Sequence, residues 1–319
     1  MQVAIFFIVV CNIFIVVCKI LYIFAKLMQN STIILYNKLK IQKEVNKMIH
    51  LICPNPAIDR TILLKSMQLG SPNRPIQIKE FPGGKSFNVA YALARTVNSE
   101  KIMIHTMLGG IYGDQVINLA KKYGYTIQAT QVQKNTRICT IIVDTWKKTV
   151  LPIYEKGFEL DDKTLEEFTS SLINSVAEND ILVFSGSLMQ GMPDDYIVKI
   201  YGELREKNIK LCVDTSGNSL KKTYKSTTPY LIKINDEEVQ ELFPDKKLNT
   251  QEDFLNLLNN DIKIENFVIT LAAKGIVGKI NDKLYEGYAE PIEAKNPIAS
   301  GDFFLGRMIA GIHRQMDAV

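Results

Sequence analysis

A segment near the end of the chain, "KNPIASGDFFLGRMIAG" at residues 295–311, combines small residues, one acidic residue and an apolar helical pattern. The backbone N–H groups of Ala299, Ser300 and Gly301 can approach a ligand closely, because little side chain surrounds them. Asp302 comes next, at the start of a predicted helix, where free N–H groups and the helix dipole favour an anion. An aspartate at that point is either an N-cap residue or a base that works beside a bound phosphate.

A second glycine-rich segment, "FPGGKSFNVAYALA" at residues 81–94, follows a predicted strand and opens a predicted helix. Gly84 allows a small ligand to approach, while Lys85 and Asn88 project toward it. The segment also invites comparison with a Walker A loop, but the first glycine of that motif falls at Lys79. A P-loop is therefore the weaker alternative, and a simple turn with a helix cap also remains open.

Several further residues share one feature, because each lies at or just past the end of a predicted strand, beside small or polar residues. They are Asp59 in "CPNPAIDRT", Ser187 in "SGSLMQGMP", Asp214 in "VDTSGNSL", Lys233, Asn235 and Glu238 in "KINDEEV", and Thr270 and Gly275 in "TLAAKG". Ligands of open α/β sheets bind at the carboxyl ends of the strands. The recurrence of this pattern predicts one ligand-lined edge of a sheet.

The elements that must hold these residues alternate along the chain. The predicted strands are 49–53, 101–107, 181–185, 210–214, 230–234 and 266–271, and the predicted helices lie near 86–97, 114–123, 161–177, 193–207, 236–243 and 251–259. Such alternation predicts a mostly parallel sheet with helices on both faces. Residues 60–81 and 137–154 instead read as antiparallel ribbons, which predicts a small β lid over one edge of a single domain at 48–319.

Composition excludes several classes of function. The formal net charge is +4, from 38 lysines and arginines against 34 aspartates and glutamates, and no basic block suggests nucleic-acid binding. The five cysteines form no CxxC pair, and the three histidines are scattered, so no zinc-site spacing appears. Reduced structural thiols and a cytoplasmic location are the expectation.

Residues 1–47 stand apart from the rest of the chain. Within 3–25 only Asn12 and Lys19 interrupt an apolar run that is long enough to span a bilayer. The downstream lysines would then keep the remaining chain in the cytoplasm. Alternatively, the working protein begins at Met48, and we favour this interpretation over a membrane anchor.

Taken in order, these motifs resemble the PfkB-type sugar kinases of the ribokinase family, and most closely the subgroup of tagatose-6-phosphate kinase and 1-phosphofructokinase. The resemblance runs from Met48 to about Gly311. The segments that carry the resemblance are, in chain order, NPAID, GGKSFN, TR at 136–137, SGSL, DTSG, KINDEE, TLAAKG and NPIASGD. They are similar to family patterns that read, in the same order, NPAID, GGKGxN, TR, SGSLPxG, DTSG, KPNxxE, SLGxxG and NPxGxGD. The resemblance implies a three-layer α/β/α sandwich with a β lid.

The resemblance also implies roles for individual residues. Asp302 would be the general base for the sugar hydroxyl, and the N–H groups of 299–301 would hold the transferring phosphoryl group. The implied ligands of the sugar phosphate are Asp59, Gly84, Lys85, Asn88, Arg137 and Ser187. Among them Lys85 and Arg137 would hold the phosphate already on the substrate, because the planar fork of arginine suits a dianion.

The implied second substrate is ATP, with Mg²⁺ as cofactor. Lys233, Asn235, Thr270 and Gly275 would line the nucleotide, and Glu238 would act on the metal through water. The implied reaction is phosphorylation of a ketohexose monophosphate, either tagatose 6-phosphate or fructose 1-phosphate. The EKG sequence at 155–157 slightly favours the first. Lid-to-lid dimers are common in the family, so the resemblance leaves room for a homodimer through the lid.

The chain departs from the family pattern at four positions. Ser86, Ala299 and Arg307 stand where the family usually has glycine, and Met189 replaces a proline. The sequence ends at Val319, where the family normally continues with a helical hairpin, which indicates a shortened C-terminus. A catalytically impaired protein that only binds sugar phosphates is therefore the alternative function.

Overall fold

The computed structural model describes residues 47–288 and 299–316 of the 319-residue chain. The predicted apolar segment at 3–25 lies outside the described residues, so it stays a prediction. Within 47–288 and 299–316 no helix is both long and apolar enough to cross a membrane.

Strands and helices alternate along the described chain, as the sequence predicts. The strands are β1 Ile49–Cys53, β2 Ala57–Leu64, β3 Gln77–Gly83, β4 Ile102–Gly109, β5 Thr126–Val132, β6 Arg137–Asp144, β7 Thr149–Tyr154, β8 Ile181–Ser185, β9 Lys210–Asp214, β10 Leu231–Asn235, β11 Phe267–Thr270, β12 Ile276–Ile280 and β13 Lys283–Gly287. The helices are α1 Lys85–Leu93, α2 Gly110–Ala120, α3 Asp162–Ser175, α4 Tyr196–Glu203, α5 Gly217–Ser226, α6 Asp236–Leu242, α7 Gln251–Asn260 and α8 Ser300–His313.

The described residues form one large sheet with the strand order β13-β12-β11-β10-β9-β8-β1-β4-β5. The strands from β11 to β5 are parallel, and β12 and β13 add to one edge as an antiparallel pair. The parallel strands therefore present their carboxyl ends along a common edge.

Helices cover both faces of this sheet, and each face has its own apolar core. All five residues of β1 are buried, as expected of a central parallel strand that is covered on both sides. On one face Leu51 belongs to a core with α1, α2 and α8, and on the other Ile52 belongs to a core with α3 through α7. The predicted three-layer α/β/α sandwich is confirmed.

A second, four-stranded sheet has the order β3-β2-β6-β7, and we call it the lid sheet. It consists of two antiparallel hairpins, β2–β3 and β6–β7, as the sequence predicts. The hairpins meet through a parallel pair, β2 with β6, which the sequence did not predict. Asp59 lies within β2, so placing it in a turn directly after β1 was wrong.

Some elements were not predicted. Strand β5, with the sequence TIQATQV, alternates polar and apolar residues at an edge of the sheet, and the hairpin of β12 and β13 is short. Helix α5 begins within the small-residue turn "SGNS", which was read as a loop. All six predicted strands and all six predicted helices are present; the ends of β1, β8 and β9 are as predicted, and those of the other elements are shifted.

Candidate active site

Asp302 lies in the first turn of α8, and its carboxylate is almost fully buried, with 6% of the residue exposed. The N-cap residue is Ala299, and no side chain caps this helix. The Asp302 Oδ2 atom instead accepts a hydrogen bond of 2.9 Å from Asn88 Nδ2 in α1. Burial raises the pKa of Asp302 to about 6, although Asn88 opposes the shift. The geometry therefore does not support the capping alternative for this residue.

The N-terminus of α8 packs against a buried lysine. A Cβ atom added to Gly301 would lie 2.9 Å from Lys233 Nζ, so the glycine lets the backbone approach the ammonium group. The first N–H groups of a helix have no carbonyl partner within the helix. Backbone donors and an ammonium group thus converge beside Asp302, and this arrangement suits an anion such as a phosphoryl group.

Asp214 joins two lysines at the centre of the site. It is fully buried at the end of β9, and its Oδ1 accepts a 2.9 Å hydrogen bond from Lys85 Nζ. Its Oδ2 accepts one of the same length from Lys233 Nζ. Burial opposes the charge on Lys85, but Asp214 and Glu238 outweigh that effect and raise the pKa of this lysine. Asp214 thereby fixes both cations, one from each side of the site.

Asn235 and Glu238 form a capping box at the start of α6. The Asn235 side chain accepts a 2.7 Å hydrogen bond from the Glu238 N–H, and Glu238 Oε2 accepts one of 2.9 Å from the Asn235 N–H. Glu238 Oε1 lies 4.0 Å from Lys85 Nζ. Burial raises the pKa of Glu238. One carboxylate oxygen therefore faces the charged cluster while the other holds the helix.

This arrangement fits a magnesium–nucleotide complex in its donor chemistry. Mg²⁺ usually keeps several waters and takes one or two carboxylates together with substrate phosphates. Glu238 would supply one such carboxylate, and Lys233 with the α8 N-terminus would hold the phosphates. The described residues contain no group of three or more metal-ligating side chains.

The turn before α1 requires glycine and tolerates Ser86. Gly84 has φ +107°, and a Cβ atom there would lie 2.7 Å from Cys53 Sγ. Ser86 points into the protein, where its hydroxyl donates to the Ile52 carbonyl at 2.6 Å and lies 3.2 Å from that of Ser185. Ser86, which stands where the family usually has glycine, therefore directs its side chain away from the turn and connects β1 with β8.

The lid sheet contributes Asp59 and Arg137, which face the turn between β1 and β2. Burial raises the pKa of Asp59 to about 6, although Arg137 and the Gly84 N–H lower it. The Arg137 guanidinium donates to three backbone carbonyls, those of Asn55 at 3.1 Å, Pro56 at 3.4 Å and Glu155 at 3.0 Å. Arg137 therefore connects the lid sheet with the β1–β2 turn, and two of its five N–H groups remain for a ligand.

A cavity of about 600 Å³ opens between the lid and the loops that follow β8 and β9. Arg137 and Ser187 both line it, and Met189 lies in its buried wall. The family proline is thus replaced by a side chain that packs into the core.

Arg307 is exposed, and the close contact of α8 with α1 is made by Gly306. The arginine therefore does not disturb the packing of the two helices.

Thr270 and Gly275 lie farther from Asp302 along the sheet edge. Thr270 pairs in register with Asn235 on the neighbouring strand β10, so both residues lie at the same edge of the sheet. Gly275 has φ +98°, and a Cβ atom there would lie 2.1 Å from the Gly287 carbonyl oxygen, which gives it a structural role. No contact joins either residue to the cluster around Asp214 in the hydrogen-bond network of the described residues.

Two alanines adopt backbone conformations that favour glycine. Ala299 has φ +72° and Ala272 has φ +49°. Both occupy glycine positions of the motifs that the sequence resembles, GxGD and SLGxxG. The αL conformation costs a residue with a Cβ about 1–2 kcal/mol, so the departure from glycine at Ala299 strains the backbone. Ala272 is strained in the same way, and the family motif SLGxxG, which has glycine at that position, is the sequence signal for it.

Comparison with known proteins agrees with this architecture. A tagatose-6-phosphate kinase of Staphylococcus epidermidis is 30% identical over 274 residues, which cover 85% of this chain and 87% of that protein. Phosphofructokinase-2 from Escherichia coli, solved in complex with substrates and products, superposes with a TM-score of 0.78 at 19% identity, over 85% of this chain and 88% of that one. A possible 1-phosphofructokinase from Thermotoga maritima gives 0.73 at 21% identity, over 83% and 85%.

The fold of the described residues is thus ribokinase-like, and the resemblance of the sequence motifs is confirmed at the level of the family. Residues 54–319 match the model of the pfkB family of carbohydrate kinases. This chain belongs to the pfkB family of carbohydrate kinases.

Proposed function

We propose that this protein transfers the γ-phosphoryl group of ATP to a ketohexose monophosphate, either tagatose 6-phosphate or fructose 1-phosphate. The observation that carries the proposal is the position of Asp302, a buried carboxylate beside a cradle of backbone N–H groups and Lys233. Phosphoryl transfer depends mostly on positioning and on neutralising charge. A base next to an anion cradle supplies both requirements.

In the proposed reaction Asp302 accepts the proton of the sugar hydroxyl as its oxygen attacks the γ-phosphorus of ATP. The bond from that phosphorus to the β,γ-bridging oxygen breaks, and its electron pair leaves with ADP. The α8 N–H groups and Lys233 offset the charge on the transferring group. Mg²⁺ bound to the nucleotide, with Glu238 acting through water, supplies further charge neutralisation when present. Asn88 holds the Asp302 carboxylate in place at 2.9 Å.

The remaining site residues divide between the two substrates in this proposal. On the sugar side Asp59 binds hydroxyl groups, and Lys85 and Arg137 hold the existing phosphate. On the nucleotide side Asn235 and Thr270 are the last residues of β10 and β11, and they pair in register. Asp214 connects the sides because it holds both Lys85 and Lys233. The name of the 30% identical relative favours tagatose 6-phosphate as the first sugar to test.

The test is ADP release by the purified full chain with ATP, Mg²⁺ and each of three acceptors, namely tagatose 6-phosphate, fructose 1-phosphate and fructose 6-phosphate. We expect turnover with one of the first two, and an Asp302→Asn variant that binds the sugar but turns over at least about 10²-fold more slowly. Turnover of fructose 6-phosphate alone would contradict the sugar assignment. No turnover with any acceptor would contradict the proposed reaction.

A second candidate function is sugar-phosphate binding without catalysis, and the strained backbone at Ala272 and Ala299 favours it. Both alanines border segments proposed to hold nucleotide or phosphoryl groups. This candidate predicts sugar-phosphate binding by calorimetry with no ADP release. Restored turnover in an Ala299→Gly variant would show that the strained loop is the cause.

We also propose a cytoplasmic location and a homodimer through the lid sheet. The described cysteines Cys53, Cys139 and Cys212 are free and buried, as in a reducing compartment.

The lid sheet exposes large apolar side chains, namely those of Ile78, Phe81, Val150, Leu151, Ile153 and Tyr154. Such a surface is typical of an interface. Light scattering should give a dimer that a Leu151→Asp, Ile153→Asp double variant dissociates, and a monomeric wild-type protein would contradict the proposal.

A further inference from the structure

The cavity between the lid sheet and the β8 and β9 loops contains more charge than the proposed sugar-phosphate ligands explain. Its wall includes Arg137 and Lys156 as cations, and Glu155 and Asp194 as anions. Ser187 and Asn218 add polar groups from the opposite side. At about 600 Å³ the cavity is of the size that holds small ligands in proteins.

Arg137 alone would bind a phosphate in this cavity only weakly. Three of its five N–H groups are directed at backbone carbonyls of the β1–β2 turn and of Glu155. A phosphate monoester at neutral pH has close to two negative charges and three acceptor oxygens. The two remaining donors of Arg137 leave part of that charge without a partner. Lys85, the other ligand proposed for this phosphate, does not line the cavity and already pairs with Asp214 and Glu238, so a second cation is needed within the cavity.

Lys156 meets this requirement. The Arg137 guanidinium binds the carbonyl of the preceding residue, Glu155, at 3.0 Å, so the backbone that leads into Lys156 lies beside Arg137, and both residues line the cavity. The anions of the wall are engaged elsewhere, because Glu155 Oε2 accepts from the Ile138 N–H at 2.9 Å and Asp194 lies 3.9 Å from Lys222 Nζ. No carboxylate within 47–288 or 299–316 lies within ion-pair distance of Lys156.

The same wall contains two buried polar atoms that lack a partner. Asn55 Oδ1 and Ser219 Oγ make no hydrogen bond within the described residues, and both residues line the cavity. Ser219 is 6% exposed. Buried polar groups without partners are uncommon in native proteins. An acceptor and a hydroxyl in this position suit a ligand that is rich in hydroxyl groups.

We infer that Lys156 is the second cation for the phosphate that the sugar already bears, and that it selects phosphorylated over free ketohexoses. This inference rests on the proposed function, because that function supplies the class of substrate. Lys156 is then a specificity-determining residue, distant from the general base, and it acts by pairing with a phosphate that does not react. The neighbouring Asn55 and Ser219 would bind hydroxyl groups of the same ligand.

The test compares Lys156→Gln with Lys147→Gln, in the full chain. Lys147 is exposed in the turn between β6 and β7 and does not line the cavity, so its substitution removes the same charge from the same lid hairpin. Calorimetry measures binding of tagatose 6-phosphate, fructose 1-phosphate and free tagatose to each variant. We expect Lys156→Gln to weaken sugar-phosphate binding about 10-fold, as is typical for loss of one charge-assisted hydrogen bond. Lys147→Gln should remain within about twofold of wild type, a margin that screening of a distant charge allows.

Kinetics provide a second measurement for the same variants. The KM of Lys156→Gln for the sugar phosphate should rise while its KM for ATP stays close to the wild-type value. Equal binding of sugar phosphates by Lys156→Gln and Lys147→Gln would overturn the inference, whether or not the enzyme turns over. Binding that depends on Lys156 without any ADP release would support the inference and contradict the proposed reaction. A wild-type protein that binds no sugar phosphate would contradict both.

Discussion

The carboxyl end and the amino end of the parallel sheet each contain a buried group of titratable side chains, but the two groups are built differently. At the amino end His50 in β1 lies 2.9 Å from His105 in β4 and 3.0 Å from Asp180. Asp180 also accepts hydrogen bonds of 2.8 Å from the backbone N–H groups of Met48 and Ala177. At the carboxyl end Asp214 binds two lysines, and Asp302 has a single amide partner.

The two groups differ in the direction in which their pKa values are shifted. Burial, with His50 beside it, lowers the pKa of His105 to about 3, so this histidine is neutral at physiological pH. Burial alone would raise the pKa of Asp180, but its hydrogen bonds outweigh that effect and lower it. Burial raises the pKa of Asp302 to about 6 instead. The closed network at the amino end holds its groups in one protonation state. The carboxyl end instead contains a carboxylate whose pKa lies close to neutral pH, as functional sites often do.

The largest effect is expected at Asp302. The Asp302→Asn variant should lose about 10²–10⁴-fold in kcat, because the general base is removed while the bond from Asn88 can remain. It should also be more stable than wild type at pH 7, by at most about 3 kcal/mol, because the buried charge is removed. Rate assays and denaturant unfolding measure the two effects. A rate within threefold of wild type would remove Asp302 from the mechanism.

The pH dependence of the rate follows from the same residue. A base must be ionised, so kcat/KM, which reports the free enzyme, should level off above pH 6 and fall about tenfold for each pH unit well below it. The contribution of Asp302 to the free energy of unfolding changes in the opposite direction. Its raised pKa favours the folded state at low pH, and this benefit is lost as the pH rises from about 4 to 6. A kcat/KM that is independent of pH between 5 and 7 would contradict the assignment.

Asp214→Asn and Asp180→Asn form a matched pair at the two ends. Asp214→Asn should lower activity by about 10–100-fold, because two lysines lose the carboxylate that positions them. Asp180→Asn should instead lower the free energy of unfolding by about 3 kcal/mol, through weakened hydrogen bonds to a buried carboxylate. Its activity per folded molecule should stay within twofold of wild type. Equal losses of activity in both variants would show that the two ends are not functionally distinct.

His105 should make the folded state sensitive to acid. Because its pKa is lowered in the folded state, the stability it contributes is fully present above about pH 6.5 and is lost as the pH falls toward 3. Between pH 6.5 and 5 the loss should approach about 2 kcal/mol. Unfolding curves of His105→Gln, which can still donate to His50, should show a smaller loss over that interval. An unchanged pH dependence would contradict the pKa assignment.

The smallest effect is expected from relieving backbone strain. Ala299→Gly should stabilise the protein by up to about 1 kcal/mol, since the gain in the αL conformation is partly offset by greater freedom of the unfolded chain. Ala310→Gly in the interior of the same helix should destabilise it by about 1 kcal/mol. Thermal unfolding distinguishes the signs. Destabilisation by both variants would show that Ala299 is not strained.

The sequence predicts the central strands well because a run such as IHLIC is apolar throughout, as burial on both faces requires. It fails at β5 and α5, where polar residues or small turn residues obscure the periodicity. Asp302 could be proposed from its small neighbours and from the resemblance. The ion pairs of Asp214 could not be derived, because Lys85 is 129 residues away and only the packed sheet brings the two together. Lys156 belongs to the EKG sequence that slightly favours tagatose 6-phosphate, but the role proposed for it could not be derived, because it depends on a cavity that exists only in the fold.

The contact between α1 and α8 has a consequence for synthesis of the protein. Asn88 and Asp302 are separated by 214 residues, and Gly306 packs against Ala92, where a Cβ would lie 2.7 Å from the alanine side chain. A chain still emerging from the ribosome therefore folds its sheet around an α1 whose apolar face, including Val89 and Leu93, has no cover until α8 arrives. The nascent protein then exposes a hydrophobic surface of the kind that chaperones bind, and the pair of Asn88 and Asp302 can form only after α8 has been made.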